Sequence, residues 1–140
     1  MLVKKLIVLI LLLTACVSAD TLPSISVKST LKTATGSSLG YGYPVVGNNL
    51  NFKVSSLPRW KDIKFTKTGK YIPLPGPLKV TGVESYGNGD WKSFRMTSKS
   101  RSSKVTFDVI RSRGNLLDAW ILVERKDRIQ GAFYLRGTFE

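Results

Sequence analysis

Apolar residues recur at every second position along most of this chain, and that alternation constrains the fold more than any other feature. A strand buried on one face has this period, because successive side chains point to opposite sides of a sheet. The alternating residues form eight sets: Ile25 and Val27; Leu50, Phe52 and Val54; Ile63 and Phe65; Leu78 and Val80; Phe94 and Met96; Val105, Phe107 and Val109; Ala119, Ile121 and Val123; Phe133 and Leu135. Turn-forming residues separate them. The sequence therefore predicts one all-β domain over residues 24–140, with about eight antiparallel strands in a small barrel or sandwich.

Residues 116–128 have a second interpretation, because apolar residues there also fit the spacing of a short helix. Trp120, Ile121 and Val123 are residue types that favour strands. Gly114 and Asp127 bracket the stretch with turn-forming residues. We therefore expect a strand here.

The first fifteen residues have the pattern of an export signal. Lys4 and Lys5 precede eight consecutive apolar residues, Leu6 to Leu13. As a helix this run would measure about 12 Å, well short of the roughly 30 Å of a bilayer core. A charged start followed by a short apolar run is typical of a secretory signal peptide, which we assign to residues 1–15.

The residues Leu13-Thr14-Ala15-Cys16 resemble the lipobox of bacterial lipoproteins. The resemblance implies cleavage before Cys16, lipidation of its thiol, and a membrane-anchored protein in the cell envelope. Residues 16–23 would then carry the lipid and form a tether. Val17 stands where an aspartate resembles an inner-membrane retention signal, so in a Gram-negative host we expect the outer membrane, facing the periplasm. The resemblance extends no further than the signal.

A competing cleavage site follows Val17-Ser18-Ala19, whose small residues also suit a signal peptidase. Cleavage after Ala19 would remove Cys16 and release a soluble protein. Cys16 is the only cysteine in the chain, so the β domain has no disulfide in either case.

The formal net charge is +13, and losing Lys4 and Lys5 with the signal would leave +11. A basic excess of this size favours an anionic partner. An exported protein rarely meets nucleic acid, so we expect no nucleic-acid partner. Anionic envelope material is the predicted ligand, with an acidic protein as another possibility. The simpler interpretation, that the charge only keeps the domain soluble, stays open.

Catalysis has little support in the residue types present. The chain has no histidine, which removes the commonest general base and metal ligand. The domain also has no cysteine for an ordinary zinc site. Nine carboxylates remain, but most lie beside lysines or arginines, as surface ion pairs do. We therefore predict no enzyme activity, no cofactor and no metal.

Two regions are candidates for binding. The glycine-rich loop of residues 36–44 contains two tyrosines that could stack on a ligand. A basic cluster further along the chain begins beside a tryptophan, and alternation would place Trp91, Arg95 and Lys99 on one face. The predicted binding residues are Tyr41, Tyr43, Trp91, Lys92, Arg95, Lys99 and Arg101.

The sequence thus predicts a lipid-anchored envelope protein with a basic, non-catalytic domain that binds an anionic envelope component. The alternative is a periplasmic or surface inhibitor, or an immunity-type protein, that blocks a partner protein with its glycine- and tyrosine-rich loop. Salt-sensitive binding to an anionic surface would favour the first function.

Overall fold

A computed structural model describes residues 22–36 and 44–140, which form mostly antiparallel strands. The elements are β1 (Ser26–Thr35), β2 (Asn49–Lys53), a 3-10 helix (Val54–Arg59), β3 (Asp62–Lys64), β4 (Tyr71–Pro73), β5 (Lys79–Ser85), β6 (Trp91–Lys99), β7 (Ser103–Arg111), β8 (Leu116–Arg125) and β9 (Arg128–Phe139). The all-β prediction is confirmed. The strand that alternation did not predict is β4, which is too short to have a visible period.

Seven strands form one sheet in the order β2-β1-β9-β8-β7-β6-β5. Strands β5 to β9 are successive antiparallel neighbours, and β9 returns to pair with β1. The ambiguous stretch is a strand, because β8 pairs along its whole length with β7 and β9. Long-range pairing therefore decides what the local pattern left open.

The sheet curls into a half-barrel. Phe52 on β2 and Phe107 on β7 are separated by three strands in the sheet order. Their ring centroids are nevertheless 5.4 Å apart, across the concave side. The inward alternating residues of the sheet therefore meet in one hydrophobic core.

The 3-10 helix and the β3–β4 hairpin cover the concave side of the sheet. Leu57 of the helix and Ile63, Phe65 and Ile72 of the hairpin are fully buried. The ring of Phe65 lies 6.3 Å from that of Phe133 on β9. The hairpin thus supplies the second layer that a single curled sheet lacks.

The two ends of the half-barrel are chemically different. We call the end at which β1 begins the near end, and the opposite end the far end. The near end holds residues 22–25, the turns at 86–90 and 112–115, and Glu140. The far end holds the turn at 100–102 and the turn at 126–127. Strand β8 runs from one end to the other with 10 residues, or about 30 Å at 3.3 Å per residue.

In the two described segments of the chain, no helix is long and apolar enough to cross a membrane.

Candidate binding site

Most carboxylates of the described residues are already paired with a cation. The ion pairs are Lys28–Glu140, Lys92–Glu84, Arg95–Asp108, Lys104–Glu124, Arg111–Asp90 and Arg136–Asp118. Only Lys104–Glu124 approaches the far end, with 3.7 Å between Nζ and Oε2. The basic excess of the protein is therefore uneven, and it is greatest where acids are few.

The far end carries a cluster of cations that we call the far cluster: Lys99, Arg101, Arg125, Lys126 and Arg128. Among residues 22–36 and 44–140, none of the five forms an ion pair. Asp127 lies among them and is the one carboxylate of the far turns without an ion pair. The cluster is therefore a region of strong positive potential in solvent.

A backbone hydrogen bond joins the two far turns: the amide of Lys126 donates to the carbonyl of Ser102 at 2.8 Å. Within the turn between β6 and β7, the amide of Ser100 donates to the carbonyl of Ser103 at 2.8 Å. Lys126 and Asp127 both have positive φ, at 50° and 60°, as a tight type I′ hairpin turn requires. An open cavity of about 200 Å³ lies between the turns, lined by serines, by cations and by the carboxylates of Glu124 and Asp127.

The far end also exposes an aliphatic side chain beside these cations. Ile129 follows Arg128 and is 62% exposed, the highest value among the large apolar residues that the structure describes. Val45 and Val46 are also more than half exposed. They lie in the connection before β2, which is hydrogen-bonded to Leu31 in the middle of β1 and not at the far end.

A second basic region, the groove cluster, lies towards the near end: Lys53, Arg59, Lys61 and Lys64. An open groove of about 380 Å³ there is lined by Arg59, Lys61 and Lys64 together with Trp60. The Trp60 ring is anchored edge-on against Phe52, with centroids 6.1 Å apart. The groove cluster is near the chain start, because the amide of Val54 donates to the carbonyl of Ile25.

The structure corrects the predicted place of Trp91. It is only 8% exposed and points into the core, not to the face that carries Arg95 and Lys99. The cause is a β-bulge: Glu84 pairs with Ser93 but Ser85 pairs with Trp91, so Lys92 is an extra residue. One inserted residue reverses the face of everything before it. Trp91 is therefore not an exposed binding residue.

The other predicted basic residues do not form one patch. Lys92 is 3.9 Å from Glu84 near the opposite end. Arg95 makes two hydrogen bonds to Asp108, at 2.7 and 3.0 Å, and this contact raises its pKa. Lys99 and Arg101 alone join the far cluster. Cys16, Tyr41 and Tyr43 lie outside the described residues.

The outer, convex face of the sheet exposes an aromatic patch that the sequence analysis did not propose as a site. Trp120 is 41% exposed, and its ring lies 5.4 Å from that of its cross-strand neighbour Tyr134. Ile110 and Leu116 are exposed on the same face. Strand alternation contained the signal, because Ala119 and Ile121 point inward and Trp120 must then point out. We call these four residues the outer patch.

The charged groups around the outer patch neutralise one another. Asp118 accepts a hydrogen bond from the Tyr134 hydroxyl and lies 3.4 Å from Nε of Arg136. That hydrogen bond, with burial and the Asp118 charge, raises the pKa of Tyr134. Arg95 and Asp108 pair on the neighbouring strands. The outer patch is therefore apolar and close to neutral, unlike the far cluster.

Within residues 22–36 and 44–140, no group of three or more histidine, cysteine, aspartate or glutamate side chains could hold a metal ion. Asp108 and Asp118 are the carboxylates nearest the outer patch, and each is bound to an arginine. The side chains of the far cluster and its serines can bind an anion by charge and hydrogen bonds.

Comparison with protein-family models, with curated proteins and with solved structures found no match for this chain.

Proposed function

We propose that this chain is a lipid-anchored bacterial envelope protein whose β domain binds an anionic envelope component without catalysing a reaction. The far cluster is the observation that carries the proposal, because five cations lie on two adjoining turns or at the strand ends that flank them, with no ion pair in the described chain. The signal-like residues 1–15 and the lipobox-like sequence ending at Cys16 support export and anchoring. In a Gram-negative host the anchor would lie in the outer membrane.

Other cations of the domain support this assignment by contrast. Arg95, Arg111 and Arg136 each lie against a carboxylate, so their charge is used within the fold. Exposed pairs contribute only about 0–1 kcal/mol to stability, but they cancel most of the field that a ligand would feel. The five cations of the far cluster form no ion pair among the described residues; the carboxylates that line the same cavity are Asp127 and Glu124, the latter paired with Lys104. The positive charge of the far cluster is therefore available to an anion.

The test uses the full chain purified from membranes, and the intact mass establishes whether acyl groups are present and whether Cys16→Ala removes them. Binding to fluorescent polyphosphate is then measured at low and high salt. The far variant, Lys99→Gln, Arg101→Gln, Lys126→Gln and Arg128→Gln, should bind about 10- to 100-fold more weakly. The melting temperature should not fall, since none of the four residues forms an ion pair in the described structure.

The matched control removes the same charge from the groove cluster: Lys53→Gln, Arg59→Gln, Lys61→Gln and Lys64→Gln. We expect this groove variant to bind polyphosphate within about threefold of the unchanged protein, through the loss of general attraction alone. Equal weakening by both variants would show that net charge, and no particular site, is responsible. Absence of binding at low salt would contradict the proposed function.

A protein partner is the second candidate function, in the form of an inhibitor or immunity-type protein. The outer patch favours it, because Trp120 presents an exposed ring on a nearly neutral surface. Aromatic rings of this kind are enriched at the centres of protein interfaces. Binding to a single envelope protein that is insensitive to salt and lost in Trp120→Ala would favour this function over the first.

A further inference from the structure

We infer that the far end docks on an anionic phospholipid bilayer other than the one that holds the N-terminus, so that the protein bridges two membrane surfaces. The far cluster would contact headgroup phosphates, and Ile129 would enter the interface between headgroups and acyl chains. This inference rests on the proposed function and specifies its ligand and the direction from which the ligand approaches.

The direction follows from the path of the chain. Leu22 and Ile25 pack against the hydrophobic core at the near end, which fixes where the described chain begins. Cys16 precedes Leu22 by six residues, which span at most about 20 Å when fully extended. The far cluster lies a full strand length away, about 30 Å. A lipid on Cys16 would thus hold the near end at its own membrane and present the far end outward.

The choice of a bilayer over a dissolved polyanion follows from Ile129. Cations alone are sufficient to bind a polyanion, which gains nothing from an exposed aliphatic side chain. A membrane interface gains from both, since basic residues attract anionic headgroups and apolar side chains enter the acyl boundary. Ile129 is 62% exposed near the start of β9, next to Arg128 and two residues after the turn that carries Lys126.

The near end differs from the far end because cations there are paired with carboxylates, so it is less suited to dock on an anionic surface. Its cations Arg111 and Lys28 are paired with Asp90 and Glu140, and Arg113 in the 112–115 turn is the near-end arginine with no ion pair among the described residues. The cations of the groove cluster, which lies beside it, form no ion pair among residues 22–36 and 44–140, but the cluster faces the side on which the described chain starts. A second membrane that approaches from the far end would not reach it.

The experiment reconstitutes full-length lipidated protein in neutral phosphatidylcholine vesicles. Labelled vesicles containing phosphatidylglycerol are then added, and bridging is measured by energy transfer and light scattering. We expect bridging that weakens with salt, disappears in the far variant and persists in the groove variant. Ile129→Ser should weaken bridging on the order of 10-fold, as expected when one aliphatic side chain is no longer buried. Ile110→Ser, an exposed isoleucine on the outer face, is the matched control and should change nothing.

The outcomes separate this inference from the proposed function. Polyphosphate binding without bridging would overturn the inference and leave the proposed function standing, with a polymer as the ligand. Loss of both would overturn both. Bridging that is unchanged by Ile129→Ser would also overturn the inference, because docking would then not involve insertion. Bridging lost in the groove variant but kept in the far variant would reverse the proposed orientation and contradict it.

Discussion

The near and far ends of the half-barrel are built from similar residues that serve different purposes. At the near end, Arg111 lies 5.6 Å from the ring centre of Trp91 and 4.9 Å from that of Phe139, and it also binds Asp90. Trp91 and Phe139 contact each other at 5.5 Å. At the far end, Arg101, Arg125 and Arg128 form no cation–π contact and no ion pair in the described chain.

This difference indicates how position decides the role of a cation. An arginine between two rings and a carboxylate stabilises the folded state, since it makes cation–π and ion-pair contacts that link separate strands. An arginine on an open turn adds little to stability and leaves its charge to a ligand. Changes at the near end should therefore affect unfolding, and changes at the far end should affect binding.

The largest expected effect comes from Trp91→Ala at the near end. Removing this buried ring leaves a cavity beside Phe94 and Phe139 and removes one partner of Arg111. We expect a loss of about 3–5 kcal/mol in the free energy of unfolding, measured by urea denaturation. Polyphosphate binding by the folded fraction should not change.

Trp120→Ala is the matched control, because it removes the same side chain from the exposed outer patch. Trp120→Ala should lower the free energy of unfolding by about 1 kcal/mol or less. If both variants lost equal stability, Trp91 would not be the structural residue that its burial indicates. Loss of polyphosphate binding in folded Trp91→Ala would contradict the claim that near-end residues affect stability alone and far-end residues affect binding.

A smaller loss is expected from Gly137→Ala, where β9 crosses close to β1. A Cβ atom at Gly137 would lie 2.2 Å from the carbonyl oxygen of Lys28 and 2.7 Å from Cα of Ser29. These are backbone atoms, so relief requires the two strands to separate. We expect a loss of about 3 kcal/mol by urea denaturation.

Gly82→Ala provides the comparison for this second change. Its added Cβ would lie 3.9 Å from Cβ of Arg95, an ordinary contact. Gly82 is exposed on the edge strand β5, so we expect a change within about 0.5 kcal/mol. Similar losses in the two variants would indicate that glycine flexibility, and not the close approach of β1 and β9, matters.

Sequence reasoning predicted the fold well because alternation is a local signal. The inward residues of β7, Val105, Phe107 and Val109, were all predicted from their period and are all buried. The exceptions have physical causes. Lys92 forms a bulge that no local pattern marks, and Val54 turns out of β2 into a 3-10 helix that packs Leu57 on the core.

The candidate site was less predictable, because it depends on contacts between distant segments. Lys99 and Arg101 were predicted from their own strand, but Lys126 and Arg128 join them only because two hairpin turns lie side by side. Arg95 was predicted as a binding residue, but it is ion-paired with Asp108, its partner on the next strand, and is not part of the far cluster. Cross-strand register decides both results, and single-strand alternation does not contain it.

The smallest expected effect lies between the two ends, at Tyr134 on the outer face. Its hydroxyl donates a hydrogen bond to Asp118, and this bond is the main cause of its raised pKa. A tyrosine whose pKa is higher in the folded state adds stability that is fully present below its unfolded value, about 10. That contribution is lost as pH rises through the folded pKa.

Tyr134→Phe should therefore lower the free energy of unfolding by about 1 kcal/mol at pH 7. The difference from the unchanged protein should shrink as the pH is raised above 10, because ionised Tyr134 no longer donates to Asp118. Urea denaturation of both proteins at pH 7, 9 and 11 measures this difference in the free energy of unfolding. A difference that stays constant with pH would assign the loss to packing against Trp120 rather than to the hydrogen bond. Polyphosphate binding should be the same in both proteins at pH 7, because Tyr134 belongs to neither end.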